Sequence, residues 1–292
     1  MANRKSSSRL FERLVPARLR AGPVVPVIRL SGAIGIVTPL KPGLTLSNTA
    51  RLLERAFKLR RAAAVAIAIN SPGGSAVQSH LIFLRIRQLA DERKIPVFAF
   101  VEDVAASGGY MIACAADEIV CDPSSILGSI GVVGATFGFE KAIRKLGIER
   151  RVYTAGKNKA MLDPFMPEKP EDVKRLKAIQ EDIHRRFIAL VKSRRGRKLN
   201  GPESALFSGE YWGGEKAVKL GLADGVGDLR SFLRARFGDK VQTPLIAERG
   251  WFGRRMPGVG TRSLEQLLDA PGLGEDIVSA LETRALWARY GF

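Results

Sequence analysis

Residues 64–69 read AVAIAI and run directly into Asn70-Ser71-Pro72-Gly73-Gly74. A run this short and uniformly apolar suits a strand covered on both faces. The Pro-Gly-Gly that ends it calls for a tight turn. Residues 75–94 then show a helical pattern, 95–101 a second apolar strand, and 105–116 a helix of small residues. Strands alternating with helices imply parallel βαβ crossovers and hence an α/β domain. The same patterning predicts a strand at 24–30 and a helix at 49–61 with Leu52, Leu53 and Ala56 on one face. It also predicts short strands at 118–122, 131–133 and 150–154, and helices at 139–146, 171–195, 212–220 and 228–237. Beyond 238 the pattern weakens: 250–261 is a linker rich in Gly, Arg and Pro, and 263–286 resumes a helical period broken at Pro271-Gly272. The expected organisation is a basic arm at 1–23, one domain over 24–238, and a linker with a C-terminal helical segment over 239–292.

Charge narrows the partners. The 292 residues carry a net +18 with 46% hydrophobic residues, which excludes a disordered tail protein, and two cysteines exclude a disulfide scaffold. Cys114 and Cys121 sit in apolar surroundings and are expected as buried thiols. Residues 141–200 hold 18 basic and 7 acidic side chains. Such a face suits a solvated surface, or contact with an anionic lipid or acidic partner. With 7% aromatics the chain is poor in stacking platforms, so nucleic acid is the weaker expectation. The first 22 residues hold six Lys/Arg and one acid without an apolar stretch behind them, unlike a secretory signal. Leu10, Phe11 and Leu14 lie among the arginines at helical spacing, so the arm reads either as a solvated tail or as a stretch resting on an anionic membrane surface. The longest uncharged run, 62–84, is broken by the Asn70–Ser75 turn, so no transmembrane segment is expected. These readings place the chain in the cytoplasm or at a membrane periphery.

Two turns and one loop hold candidate chemistry. In Asn70-Ser71-Pro72-Gly73-Gly74 the glycines let backbone amides approach a ligand and face a developing oxyanion, unless the segment is simply a strand-to-helix turn. In Asp103-Val104-Ala105-Ala106-Ser107-Gly108-Gly109-Tyr110, Ser107 begins a helix among small residues, either as an open nucleophile followed by a free Gly108 amide or as an ordinary N-cap. A serine nucleophile needs a base. His80 and His184, the two histidines, lack a triad-like context. Lys159 lies beside Ala160, Met161, Leu162 and Phe165, which could exclude water; Lys157 is its rival, and spacing does not choose between them. A free lysine amine titrates near ~10.4, and service as a base at neutral pH requires a fall of about 3 pH units, about 4 kcal/mol. Desolvation and nearby positive charge work in that direction.

These residues resemble the signal peptide peptidase A family of Ser/Lys serine peptidases, family S49. The resemblance runs from about Val27 to Asp228. It rests on Ile69-Asn70-Ser71-Pro72-Gly73-Gly74, Ala106-Ser107-Gly108-Gly109-Tyr110, Gly128-Ser129-Ile130-Gly131-Val132-Val133, residues 156–164, Phe207-Ser208-Gly209 and Leu220-Gly221-Leu222-Ala223-Asp224. It implies a ClpP/crotonase-like spiral of βαβ units with helical additions and two roughly perpendicular sheets. It implies Ser107 as nucleophile and, from their separation of 52 residues, Lys159 as general base. By the same resemblance Ser129 orients the lysine amine, and Gly74 and Gly108 donate the oxyanion-hole amides. No cofactor or metal is called for. Peptide substrates are implied, with residual signal peptides among them, and a homo-oligomer whose active sites lie near subunit interfaces.

Two departures stand out. Many members carry an N-terminal membrane anchor, which this sequence does not show, and many carry a second aromatic after the tyrosine, where this chain has Met111. The first leaves the natural substrate open; the second points to a different S1 subsite. The competing readings are a catalytically silent scaffold of the same fold that binds peptide or membrane, and a crotonase-type acyl-CoA enzyme, against which the Ser107/Lys159 pair argues.

Overall fold

The computed structural model describes residues 22–36, 43–247, 281 and 283–291. Among them seven strands form one connected sheet: β1 (Val27–Ser31), β2 (Val65–Ser71), β3 (Val97–Ala106), β4 (Glu118–Cys121), β5 (Ile126–Gly128), β6 (Tyr211–Gly213) and β7 (Gly225–Val226). Helices α1 (Leu46–Phe57) and α2 (Ala76–Arg93) cross between the first three strands, and α3 (Gly108–Ala113) follows β3. After β5 come α4 (Glu140–Lys145), α5 (Pro170–Arg195) and α6 (Glu203–Leu206), then α7 (Gly214–Lys219) and α8 (Leu229–Phe237). Residues 283–288 are helical again.

The strands β1-β2-β3-β4-β7 lie side by side in parallel, giving the mostly parallel α/β architecture expected. Alternation along each strand explains the two covered faces. Val65, Ile67 and Ile69 of β2, with Val97, Ala99 and Val101 of β3, enter the main core beneath α1, α2, α3 and α5. Ala66, Phe98 and Phe100 point the other way, against Leu233 of α8 and its neighbours Leu229, Phe232 and Phe237. Phe232 sits edge-on to both Phe98 and Phe100, at 5.3 and 5.5 Å.

In place of the two separate sheets that the resemblance implies, the strands form one sheet that forks at β3. β3 pairs with β4 over Phe98–Val101, and then with β5 over Val104–Ala106; β5 in turn pairs antiparallel with β6. The register of β2 on β3 also shifts between Ile69 and Ser71. Ser125 helps hold the fork, its Oγ 2.5 Å from the Glu102 carbonyl and accepting from the Asp122 amide at 3.0 Å. The end of β3 thereby exchanges β4 for β5 as its neighbour just before Ser107.

Several local expectations differ from the structure. Residues 131–133 and 150–154 form no strand, because nothing among the described residues pairs with them. Val133 is 66% exposed and Tyr153 89% exposed, while Val132 is half-buried. The helix expected at 212–220 is present as the shorter α7, starting at Gly214, because Trp212 and Gly213 belong to β6 and pair with β5. The helix expected from 105 begins at Gly108, because β3 continues through Ala106. Beyond 238 the chain stays against the sheet: Val25 donates to Gln242 O, and Ile246 to Val27 O, both at 2.8 Å. The basic arm through residue 21, the linker at 250–261 and most of the helical period at 263–286 lie outside the described residues.

Candidate active site

One residue separates β3 from α3, and that residue is Ser107. It adopts φ 52° and ψ −120°, a positive-φ conformation that costs a non-glycine residue about 1–3 kcal/mol unless its surroundings impose it. They do: the Ser107 amide donates to Gly128 O at 2.8 Å, and its carbonyl accepts from the Met111 amide at 3.0 Å. The side chain makes no capping hydrogen bond. An N-cap serine would spend its Oγ on its own helix; here the hydroxyl stands free of that task, half-buried at the helix mouth.

The turn after β2 is built against this serine. Asn70 donates through Nδ2 to Asp103 at 2.5 Å and accepts through Oδ1 from the Val104 amide at 3.3 Å. Ser71 Oγ donates to Gly32 O at 2.7 Å and accepts from the Gly73 amide. Gly74 has φ 140°, and a methyl group there would lie 2.1 Å from the Ile34 carbonyl oxygen, because residues 34 and 74 form a backbone bridge. A methyl on Gly108 would lie 2.2 Å from Ser79 Oγ. Among the described residues neither the Gly74 nor the Gly108 amide donates a hydrogen bond. Both amides belong to residues that line the same groove as Ser107, and Gly73 packs directly on Ser107, where a methyl would lie 2.8 Å from its Cβ.

Ser107, Gly74 and Gly108 line a single groove of about 320 Å³. Met111, Val132, Val133, Ile183 and Phe187 make its walls apolar, and Leu286 and Arg289 close one side. Met111 thus occupies the wall where the missing second aromatic was noted. A larger hollow of about 440 Å³ lies within residues 140–167 and contains none of the candidate residues.

Ser129 follows β5, buried at 6% exposure and with φ 52°. Its amide donates to Glu210 O at 2.6 Å, and its Oγ accepts from the Tyr290 hydroxyl at 3.2 Å. Lys159 does not join this group within the chain: it sits exposed on a loop and lines no part of the Ser107 groove. Lys157 is exposed on the same loop. His184 Nε2 lies 3.0 Å from Ile130 O, and His80 is exposed against Phe83, so neither histidine contacts Ser107.

Behind α3 lies a buried polar hub. Tyr110 donates to Leu222 O at 2.9 Å, and burial pushes its hydroxyl well above the usual tyrosine range. Arg195, 2% exposed, donates to Gly221 O and, at 2.6 Å, to Asp224. Asp224 also accepts from Lys198 and from the Ile119 amide. Burial works to raise the Asp224 carboxyl, but the Arg195, Lys198 and Ile119 hydrogen bonds outweigh it and hold the group below its ordinary 3.8. Cys114 and Cys121 are free buried thiols, pushed up by burial to about 12 and about 11.

Fold and groove define an α/β protein that presents a positive-φ serine in a groove shared with two unpaired glycine amides. A family model described as peptidase family S49 matches residues 90–236. The chain is 31% identical over 245 residues to the putative protease slr0021 of Synechocystis sp., covering 80% of this chain and 87% of that protein. The chain belongs to peptidase family S49. It is also 57% identical over 287 residues to a Brucella abortus (strain 2308) protein named Na(+)/H(+) antiporter NhaA, covering 97% of this chain but 39% of that protein. Among the described residues no helix is long and apolar enough to cross a membrane. A solved structure, a lysine-to-alanine mutant of the 1510-N membrane-bound stomatin-specific protease in complex with a substrate peptide, aligns with a TM-score of 0.46 at 19% identity, covering 89% of this chain and 100% of that one.

Tyr290, Leu286 and Arg289 were not candidates from the sequence. Nothing in their local pattern marks them; they reach the site only because the C-terminal segment folds back onto β3 and β5.

Proposed function

We propose that the chain is a serine peptidase that cleaves short or unfolded peptides with a Ser107/Lys159 dyad. The observation that carries this reading is Ser107 itself: its hydroxyl is released from capping, fixed at a strained turn, and set beside the Gly74 and Gly108 amides in an apolar groove. In the proposed reaction the neutral Lys159 amine takes the Ser107 hydroxyl proton as Oγ bonds to the substrate carbonyl carbon. The carbonyl oxygen becomes an oxyanion held by the two amides. Collapse of the tetrahedral intermediate breaks the C–N bond as Lys159 returns the proton to the leaving amine, and water then hydrolyses the acyl-enzyme. Ser129 accepts a hydrogen bond from the lysine amine and orients it.

The base reaches the serine from a second copy of the chain. Two features support this. Lys159 is exposed and lines no part of the Ser107 groove of its own chain. The segment that bears it displays Phe137 at 78% and Leu146 at 73% exposure, an apolar surface that a neighbouring copy would cover.

Ser107→Ala and Lys159→Ala should each lower turnover of an unstructured fluorogenic peptide by at least about 10³-fold. A reactive serine probe should label the unaltered chain and fail to label Ser107→Ala. Full turnover in either variant removes that residue from the mechanism. Peptide binding without labelling or cleavage would identify the silent scaffold instead.

A further inference from the structure

We propose that Tyr290 is a positioning residue of the active site, acting on Ser129. In the segment that carries it Arg284, Ala285, Ala288 and Arg289 are exposed and Leu286 and Trp287 half-buried, whereas Tyr290 is buried at 6%. Its ring packs on Val104 and Ala106, the residues of β3 that lead into Ser107, and stands edge-on to Tyr211 at 5.1 Å. Tyr211 OH in turn donates to Arg289 O at 3.1 Å and so ties the segment down.

A buried phenol needs a partner for its one hydrogen, and Tyr290 directs that hydrogen to Ser129 Oγ at 3.2 Å. Ser129 follows Gly128, whose carbonyl accepts from the Ser107 amide. The tyrosine therefore braces the ends of both β3 and β5, the two strand ends that frame the Ser107 hydroxyl. Its donated hydrogen occupies one lone pair of Ser129 Oγ and fixes where the other points. The inference rests on the Ser/Lys reading, in which that remaining lone pair holds the lysine amine. With one lone pair engaged, Ser129 is a weaker acceptor for a charged ammonium, which favours the neutral base.

Tyr290→Phe in the full chain removes the hydroxyl and keeps the ring. It should lower kcat about ten-fold with KM unchanged. It should also move the acid limb of the kcat/KM profile to higher pH, because a Ser129 oxygen without the tyrosine's hydrogen binds the ammonium form better. A purely structural role would move neither the pH limb nor kcat selectively. In a double-mutant cycle with Ser129→Ala, Tyr290→Phe should cost nothing further. An unchanged kcat and pH profile in Tyr290→Phe, or losses that add fully across the cycle, would overturn the inference while Ser107→Ala still abolishes turnover and the dyad reading stands. A wild-type chain that neither cleaves peptide nor takes the serine probe removes both.

Discussion

At the scale of single residues, the site depends on what is missing from two positions. Gly74 and Gly108 each stand where a methyl group would collide, but the obstacles differ. At Gly74 the obstacle is the Ile34 carbonyl, part of a backbone bridge and unable to move alone; at Gly108 it is a serine side chain that can rotate. Both alanine variants should lose turnover, because each displaces one of the proposed oxyanion donors. Gly74→Ala should lose more stability, about 3 kcal/mol against about 1 for Gly108→Ala, since overpacking against fixed backbone has no cheap relief. Thermal melts followed by circular dichroism would rank them, and equal midpoints would contradict the argument.

At the scale of elements, α5 and the turn before β7 are joined by the Arg195–Asp224 pair, which in turn backs α3 through Leu222 and Tyr110. Removing the carboxylate leaves the buried Arg195 charge with the Gly221 carbonyl but without its counter-charge. Asp224→Asn should therefore cost about 3 kcal/mol near neutral pH. The pH dependence follows from the depressed carboxyl. A group held below its ordinary 3.8 in the folded chain adds stability that is fully present above that value and is lost as pH falls through the lower folded value. The stability gap between wild type and Asp224→Asn should thus be constant from pH 7 to about pH 5 and close below about pH 4. A gap that stays open in acid would show that the carboxylate charge is not what holds these elements.

At the scale of the whole molecule, residues 131–169 are anomalous. Chains of this size cover their large apolar side chains, yet Phe137, Leu146, Ile148 and Tyr153 stand exposed on the segment that also bears Lys159. The proposed assembly would account for both oddities at once, by covering the apolar arm and by bringing an amine to a neighbour's serine. Mixing unfolded and co-refolded Ser107→Ala with Lys159→Ala should restore roughly a quarter of wild-type turnover, the share of sites in a head-to-tail ring that pair an intact serine with an intact lysine. No recovery on mixing, with light scattering showing a monomer, would place the dyad within one chain or remove it.

Much of the site was legible because it is local. Asn70–Gly74 and Ser107–Gly108 lie where an apolar run ends and a helix starts, and such turns are dictated by the few residues that compose them. The strands β2 and β3 and the helices α2 and α5 were visible for the same reason. The short strands β5, β6 and β7, of three, three and two residues, carry no periodicity to detect and exist only through pairing with distant chain. The apolar patterns at 131–133 and 150–154 misled because alternation reports that a face will be covered, not by which partner. Whether Ser107 caps its helix or stands free, and whether Tyr290 reaches Ser129 from 161 residues away, were decided by tertiary contacts alone. The amino-acid order determines conformations that neighbours along the chain enforce; hydrogen-bond partners brought together by folding determine which of those groups remain available for chemistry.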